Sequence, residues 1–86
     1  MIIKFHKNFE KQYRKLLSKQ KKSFKEKIKI FLEDEFNPVL NNHPLRGKYS
    51  GYRSINVSGD LRAIYKREAR EGVVFVIIDK HSNLYK

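Results

Sequence analysis

Eighty-six residues leave room for one small hydrophobic core, and the absence of cysteine excludes disulfides, thiolate nucleophiles and thiolate metal sites together. Twenty Lys and Arg against nine Asp and Glu give a formal net charge of +11, which works against compactness by self-repulsion and favours polyanionic partners: RNA, DNA, anionic lipid or an acidic protein. No apolar run approaches the roughly 20 residues that span a bilayer. The start M-I-I-K-F-H-K lacks the apolar core of a secretory signal, so a soluble, cytoplasmic chain with no membrane contact is expected.

In chain order, residues 1–5 are short, apolar and tolerant of a β conformation, which predicts an opening strand. Phe9, Tyr13, Leu16 and Leu17 then recur at helical spacing, as do Phe24, Ile28, Phe31, Leu32 and Phe36. Between the two sets lies S-K-Q-K-K-S. Ser23 followed by Glu26 matches a capping box and predicts the start of a second helix there. Glu33, Asp34 and Glu35 gather at the end of that helix, where the dipole disfavours negative charge; they read as a solvated acidic face, with a partner contact as the alternative. Asn37-Pro38 stops the helix, because proline biases its predecessor away from helical dihedrals.

A loop rich in Asn, Pro and Gly follows, and the period then switches to two. Residues 52–58, 61–67 and 73–79 read as three strands joined by S-G-D and E-A-R-E-G, short connections that predict an antiparallel meander. The expected architecture is a single α+β domain over residues 1–86, in the order β-α-α-β-β-β. A helical hairpin covers one face of a small, mainly antiparallel sheet, and the other face is left polar and available for work.

The titratable groups outside the helices are few: His43, Asp60, Asp79 and His81, with Tyr49, Tyr52, Tyr65 and Tyr85 in support. His6, at the strand-to-helix junction, gets a structural reading, and Asp60 after Gly59 is on its own a routine turn residue. Topology makes the set stronger than its members. In a meander the end of the third strand and the start of the second share one edge, so Asp60 and His81 approach each other, and the loop carrying His43 can reach the same edge. A carboxylate and two imidazoles among Arg46, Lys48, Arg53, Arg62 and Lys66 are what metal-free RNA cleavage requires. One group takes the ribose 2′-hydroxyl proton, another protonates the leaving 5′-oxygen, and cations stabilise the phosphorane. Imidazole suits both proton roles because its ordinary pKa lies near neutrality. The scattered spacing of two His and one Asp makes a zinc site a weak alternative.

The stretch H-P-L-R-G-K-Y-S-G-Y-R-S-I-N-V-S-G-D-L-R-A-I-Y-K, residues 43–66, resembles the RelE/YafQ-type mRNA interferases of bacterial type II toxin–antitoxin pairs, and H-S-N-L-Y resembles their terminal motif. The two blocks cover about half of the chain, in the order and separation of that family. The resemblance implies a RelE-like fold whose concave face cuts mRNA in the ribosomal A site. It implies catalysis by His43, Asp60 and His81, with Tyr85 against a base; the residues themselves add Arg53 and Arg62 as the phosphate clamp, with Arg46, Lys48 and Lys66 around them. Asn56 stands where some relatives carry a further histidine, and it can hydrogen-bond substrate without transferring protons. The family also implies no cofactor and a cognate acidic antitoxin. Two other modes of action stay open: a toxin that blocks translation by binding RNA without cutting it, and a ParE-like gyrase poison.

Overall fold

The computed structural model describes residues 1–84. Four strands and two helices stand where the sequence places them, with a two-residue strand and a terminal helical turn in addition: β1 (Ile2–Phe5), α1 (Lys7–Arg14), α2 (Ser18–Glu33), β2 (His43–Pro44), β3 (Arg53–Ser58), β4 (Leu61–Glu68), β5 (Gly72–Lys80) and α3 (His81–Leu84). The five strands form one mixed sheet in the order β1-β5-β4-β3-β2. The meander β3-β4-β5 is antiparallel, as its short connections require, and β2 adds antiparallel to β3. Only β1 runs parallel, beside β5, from Ile2↔Gly72 to Phe5↔Phe75. That pairing has no local turn signal in the sequence.

Where β1 stops, α1 takes over the edge of β5. His6 N–H still donates to the Phe75 carbonyl, at 2.9 Å. Beyond it, Asn8 donates to the Val76 carbonyl and Gln12 accepts from the Ile78 N–H. Two helix side chains thus satisfy backbone groups that an absent strand would have paired.

The helices cover one face of the sheet. Phe9 from α1 and Phe24 and Phe31 from α2 meet Tyr65 and Phe75, all buried, with Ile55, Val57, Ala63 and Ile78 filling the same layer. Phe31 lies edge-on to both Tyr65 and Phe75, with centroids at 5.1 and 5.5 Å. Two expectations are corrected here. α2 begins at Ser18, five residues before Ser23, because the Gln20 side chain accepts from the Leu17 N–H and caps the turn earlier. α2 also ends at Glu33, so Phe36 falls beyond the helix and is exposed, and Leu32, in the last turn, is exposed too.

The acidic cluster is likewise more than a solvated face. Glu35 accepts from the Tyr65 hydroxyl at 2.6 Å and from Arg67 at 2.5 Å, and Asn42 donates to the same hydroxyl at 2.8 Å. Burial, and then the hydrogen bond to Glu35, push the Tyr65 phenol up to about 12.

Candidate active site on the open sheet face

Strand alternation decides what the second face carries. Ser54, Ile64 and Ile77 share one row across β3, β4 and β5; Asn56, Arg62 and Asp79 form the next row toward the β3–β4 turn. Ile64 and Ile77 pack with Leu45, Leu84, Tyr49, Tyr52 and Val76 in a second, smaller apolar cluster, which marks this as the face away from the helices. Leu84 is buried there, so α3 folds back across the open face from the end of β5.

At one corner Asp60 and His81 come together. The His81 N–H donates to the Asp60 carbonyl at 2.8 Å, and the Ser82 hydroxyl approaches the Asp60 carboxylate at 3.4 Å. Asp79 prepares this corner by accepting from the Lys80 N–H and from the Asn83 side chain, which holds the short α3 turn. Asp60 and His81 are both exposed.

His43 lies elsewhere on the same face. It pairs with Ser54, which pairs with Ile64, so it stands two strands across from β4 and three residues along from Leu61. These offsets are roughly 10 Å in each direction at ordinary strand spacings. At the level of the backbone, then, β2 seats His43 on the same face but not at the corner itself. The ring is oriented all the same. Nδ1 lies 2.8 Å from the Asn41 carbonyl, an acceptor only, so Nδ1 carries the proton and Nε2 of the neutral ring is the acceptor. Asn41 reaches this position through a left-handed backbone, φ +46°.

The cations divide between the faces. Arg62 is on the open face, turned back onto the Gly59 and Leu61 carbonyls at 2.7 and 3.1 Å. Lys48 lies over the Tyr49 ring, Lys66 over the Tyr52 ring, and Arg46 is exposed between Leu45 and the turn Gly47–Tyr49. Arg53 sits apart from these four. It pairs with Tyr65 on the helix-covered face, donates to Asn42 at 2.7 Å and stacks on Phe36 at 5.1 Å. Its parity with Ile55 and Val57 carries that signal in the sequence.

Asn56 is the other distinctive residue of the open face. Its side-chain oxygen is buried without a hydrogen-bond partner among the described residues. An orphaned acceptor of this kind is costly in a folded protein and calls for a reason. Tyr85 lies outside the described residues. No group of three His, Cys, Asp or Glu among the described residues is placed to hold a metal ion, and no helix of the described residues is long and apolar enough to cross a membrane.

Comparison with known families decides the relationship: a family model for the bacterial toxin of type II toxin–antitoxin systems, YafQ, matches residues 1–86. The chain belongs to the YafQ toxin family. Solved structures agree on the fold. A copper-bound mutant toxin from Helicobacter pylori superposes with a TM-score of 0.78 at 22% identity, covering 99% of both chains. The YoeB/ParE toxin from Agrobacterium tumefaciens gives 0.79 at 15% identity, over 94% of this chain and 99% of that one. YafQ in the Escherichia coli DinJ–YafQ complex gives 0.65 at 25% identity, over 98% and 97%. Comparison with the curated proteins finds no match. As a YafQ-family member the chain is the toxin of a type II toxin–antitoxin system, with the α+β fold of its relatives.

Proposed function

We propose that this toxin is a ribosome-dependent endoribonuclease that cleaves mRNA by acid–base catalysis from its own side chains. The observation that carries the reading is the orientation of His43. The Asn41 carbonyl holds its proton on Nδ1 and leaves Nε2 as the acceptor a general base needs, on the same sheet face as the Asp60–His81 corner. RNA lying across that face would present a 2′-hydroxyl to His43 or Asp60 and its leaving 5′-oxygen to His81, the general acid. The 2′-oxygen forms a bond to phosphorus as the 5′-oxygen–phosphorus bond breaks. The products are a 2′,3′-cyclic phosphate and a 5′-hydroxyl.

Arg62 bonds the carbonyls on either side of Asp60, and these bonds are readily exchanged for charge-assisted bonds to phosphate. Asn56, beside Arg62 across the β3–β4 pair, is assigned a hydrogen bond to a substrate hydroxyl, which requires a side-chain movement that uncovers its buried oxygen. Arg46, Lys48 and Lys66 supply sequence-independent attraction to the backbone, and Tyr85 is assigned a base contact. Arg53, committed to Asn42 and Phe36, serves the scaffold of the β2–β3 edge. The partner that neutralises the toxin is an acidic antitoxin, as the charge of +11 favours and as the complex of YafQ with DinJ parallels. The working compartment is the cytoplasm, where ribosomes present mRNA.

Primer-extension mapping of mRNA ends after induction tests the reading. New 5′ ends inside translated messages, absent for His81→Ala, are expected. Intact messages with arrested translation would assign a blocking toxin instead, and DNA damage without message cleavage a gyrase poison.

A further inference from the structure

The open face holds a second concavity, away from the Asp60–His81 corner. A cleft of about 520 Å³ is lined by His6, Lys48, Tyr49, Tyr52, Lys66 and Val76, among others, a size typical of small-ligand sites. Lys66 stands five positions beyond Leu61 on β4, roughly 17 Å along the strand at ~3.3 Å per residue. The cleft is therefore separate from the proposed cleavage corner yet lies on the same surface.

Its chemistry is specific. The Tyr49 and Tyr52 rings meet nearly at right angles, 82°, with centroids 6.4 Å apart. An ammonium stands over each: Lys48 Nζ is 5.3 Å from the Tyr49 centroid and Lys66 Nζ 5.8 Å from that of Tyr52. His6 accepts from the Asn8 N–H through Nδ1, which puts the neutral ring's proton on Nε2 as a further donor. The one acid on the wall, Glu68, is answered by Lys4 at 3.3 Å.

We propose that this cleft is a nucleotide subsite for single-stranded RNA, taking a base on the face of Tyr52 or Tyr49 and its phosphate on Lys48 and Lys66. The inference rests on the ribonuclease reading of the same face and extends it to a part of the strand remote from the cut. An exposed cation–π contact is weak beside base–aromatic stacking, so an arriving base displaces the ammonium from the ring and the flexible lysine stem carries it to the adjacent phosphate. An acidic peptide would satisfy the lysines but leave both aromatic faces without a purpose. Every base has a π-face, so the subsite grips the strand without reading its sequence.

The experiment measures binding apart from cleavage. Fluorescence anisotropy follows a labelled single-stranded RNA oligonucleotide on the full chain in a His81→Ala background, with inorganic polyphosphate as a base-free competitor. Tyr52→Leu keeps an apolar side chain at the site, and retained thermal unfolding shows that it folds; Tyr49→Leu is the second variant. Each is expected to weaken RNA binding about five- to 100-fold with an unchanged salt slope, leaving polyphosphate affinity as it was. Lys48→Gln with Lys66→Gln should instead flatten the salt slope for both polyanions. RNA affinity unchanged in both tyrosine variants overturns the proposal. So does a starting protein that holds polyphosphate as tightly as RNA, or a tyrosine dependence seen only for an acidic protein partner. Tyrosine-dependent RNA binding by a protein whose unmutated form cuts no message would uphold the subsite while removing the ribonuclease reading.

Discussion

The backbone N–H of His81 donates to the carbonyl of Asp60 across 2.8 Å, so the turn that follows β5 is pinned to the β3–β4 hairpin. This bond uses no side-chain atom of either residue. The main chain therefore fixes where both residues stand, independently of what their side chains touch.

His81→Ala follows directly. It keeps the pinning bond and removes only an exposed side chain. Message cleavage should fall by about 10²- to 10⁴-fold, the usual worth of a general acid. The midpoint of thermal unfolding should change little, since exposed substitutions usually stay within ~0.5 kcal/mol. Cleavage assays beside melting curves check both halves.

Asn56→Leu separates stability from activity. The change removes a buried acceptor that has no partner, and relieving such a group is worth on the order of 1 kcal/mol. Denaturant unfolding should show a more stable variant, while RNA cleavage declines because the substrate hydroxyl loses its acceptor. A variant both destabilised and fully active would reverse the assignment.

Tyr65 sets an alkaline limit. Its phenol holds its proton up to about 12 in the fold, whereas an unfolded tyrosine releases it near the ordinary 10. Below pH 10 the contribution is fully present. As pH rises from 10 to 12 the unfolded state sheds the proton first, and stability falls by roughly 2–3 kcal/mol. Denaturant melts at pH 9 and 11 should show about half of this loss, roughly 1.3 kcal/mol. Tyr65→Phe, less stable by about 1–2 kcal/mol at neutral pH for want of the bonds to Glu35 and Asn42, should lose that part of the slope.

Arg53 and Arg62, alike in sequence, should part company. Arg53→Ala strips the cover from Phe36 and leaves the Asn42 oxygen unanswered, costing about 1–2 kcal/mol of stability with little change in the salt dependence of RNA binding. Arg62→Ala should do the reverse and reduce the magnitude of the salt slope by about one. Unfolding curves and salt titrations of the two variants make the comparison.

Gly72 should tolerate no side chain. A Cβ there would meet the Glu68 carbonyl oxygen at 2.7 Å, a backbone atom held in the β4–β5 pairing. Gly72→Ala is expected to cost about 1–3 kcal/mol, read by thermal unfolding.

The meander was legible because two-residue alternation is strong in residues 52–79 and its turns are short; β3, β4 and β5 begin and end within a residue of the expected bounds. The helical hairpin was legible from Phe9, Phe24, Ile28 and Phe31. Its joint was misplaced because Ser23-x-x-Glu26 looks like a cap, while Gln20 forms a competing one earlier that no pattern ranks. The dipeptide strand β2 and the single turn of α3 are too short for any period to reveal. The Asp60–His81 proximity followed from meander topology alone. The separation of His43 did not, since it depends on β2 seating at Ser54 rather than nearer the turn. The role of Glu35 was hidden because its partners Tyr65 and Arg67 lie about thirty residues away.

The parallel pairing of β1 with β5 also governs when the toxin becomes dangerous. The strand between β1 and β4 is the last to be synthesised, and it carries Phe75 of the core as well as the approach to His81. A nascent chain or a prematurely terminated one lacks the strand that joins β1 to the meander, and with it the Asp60–His81 corner. Long-range pairings of this kind form late and cooperatively. A ribosome that abandons its message before β5 therefore releases an unfolded fragment rather than a weakened toxin.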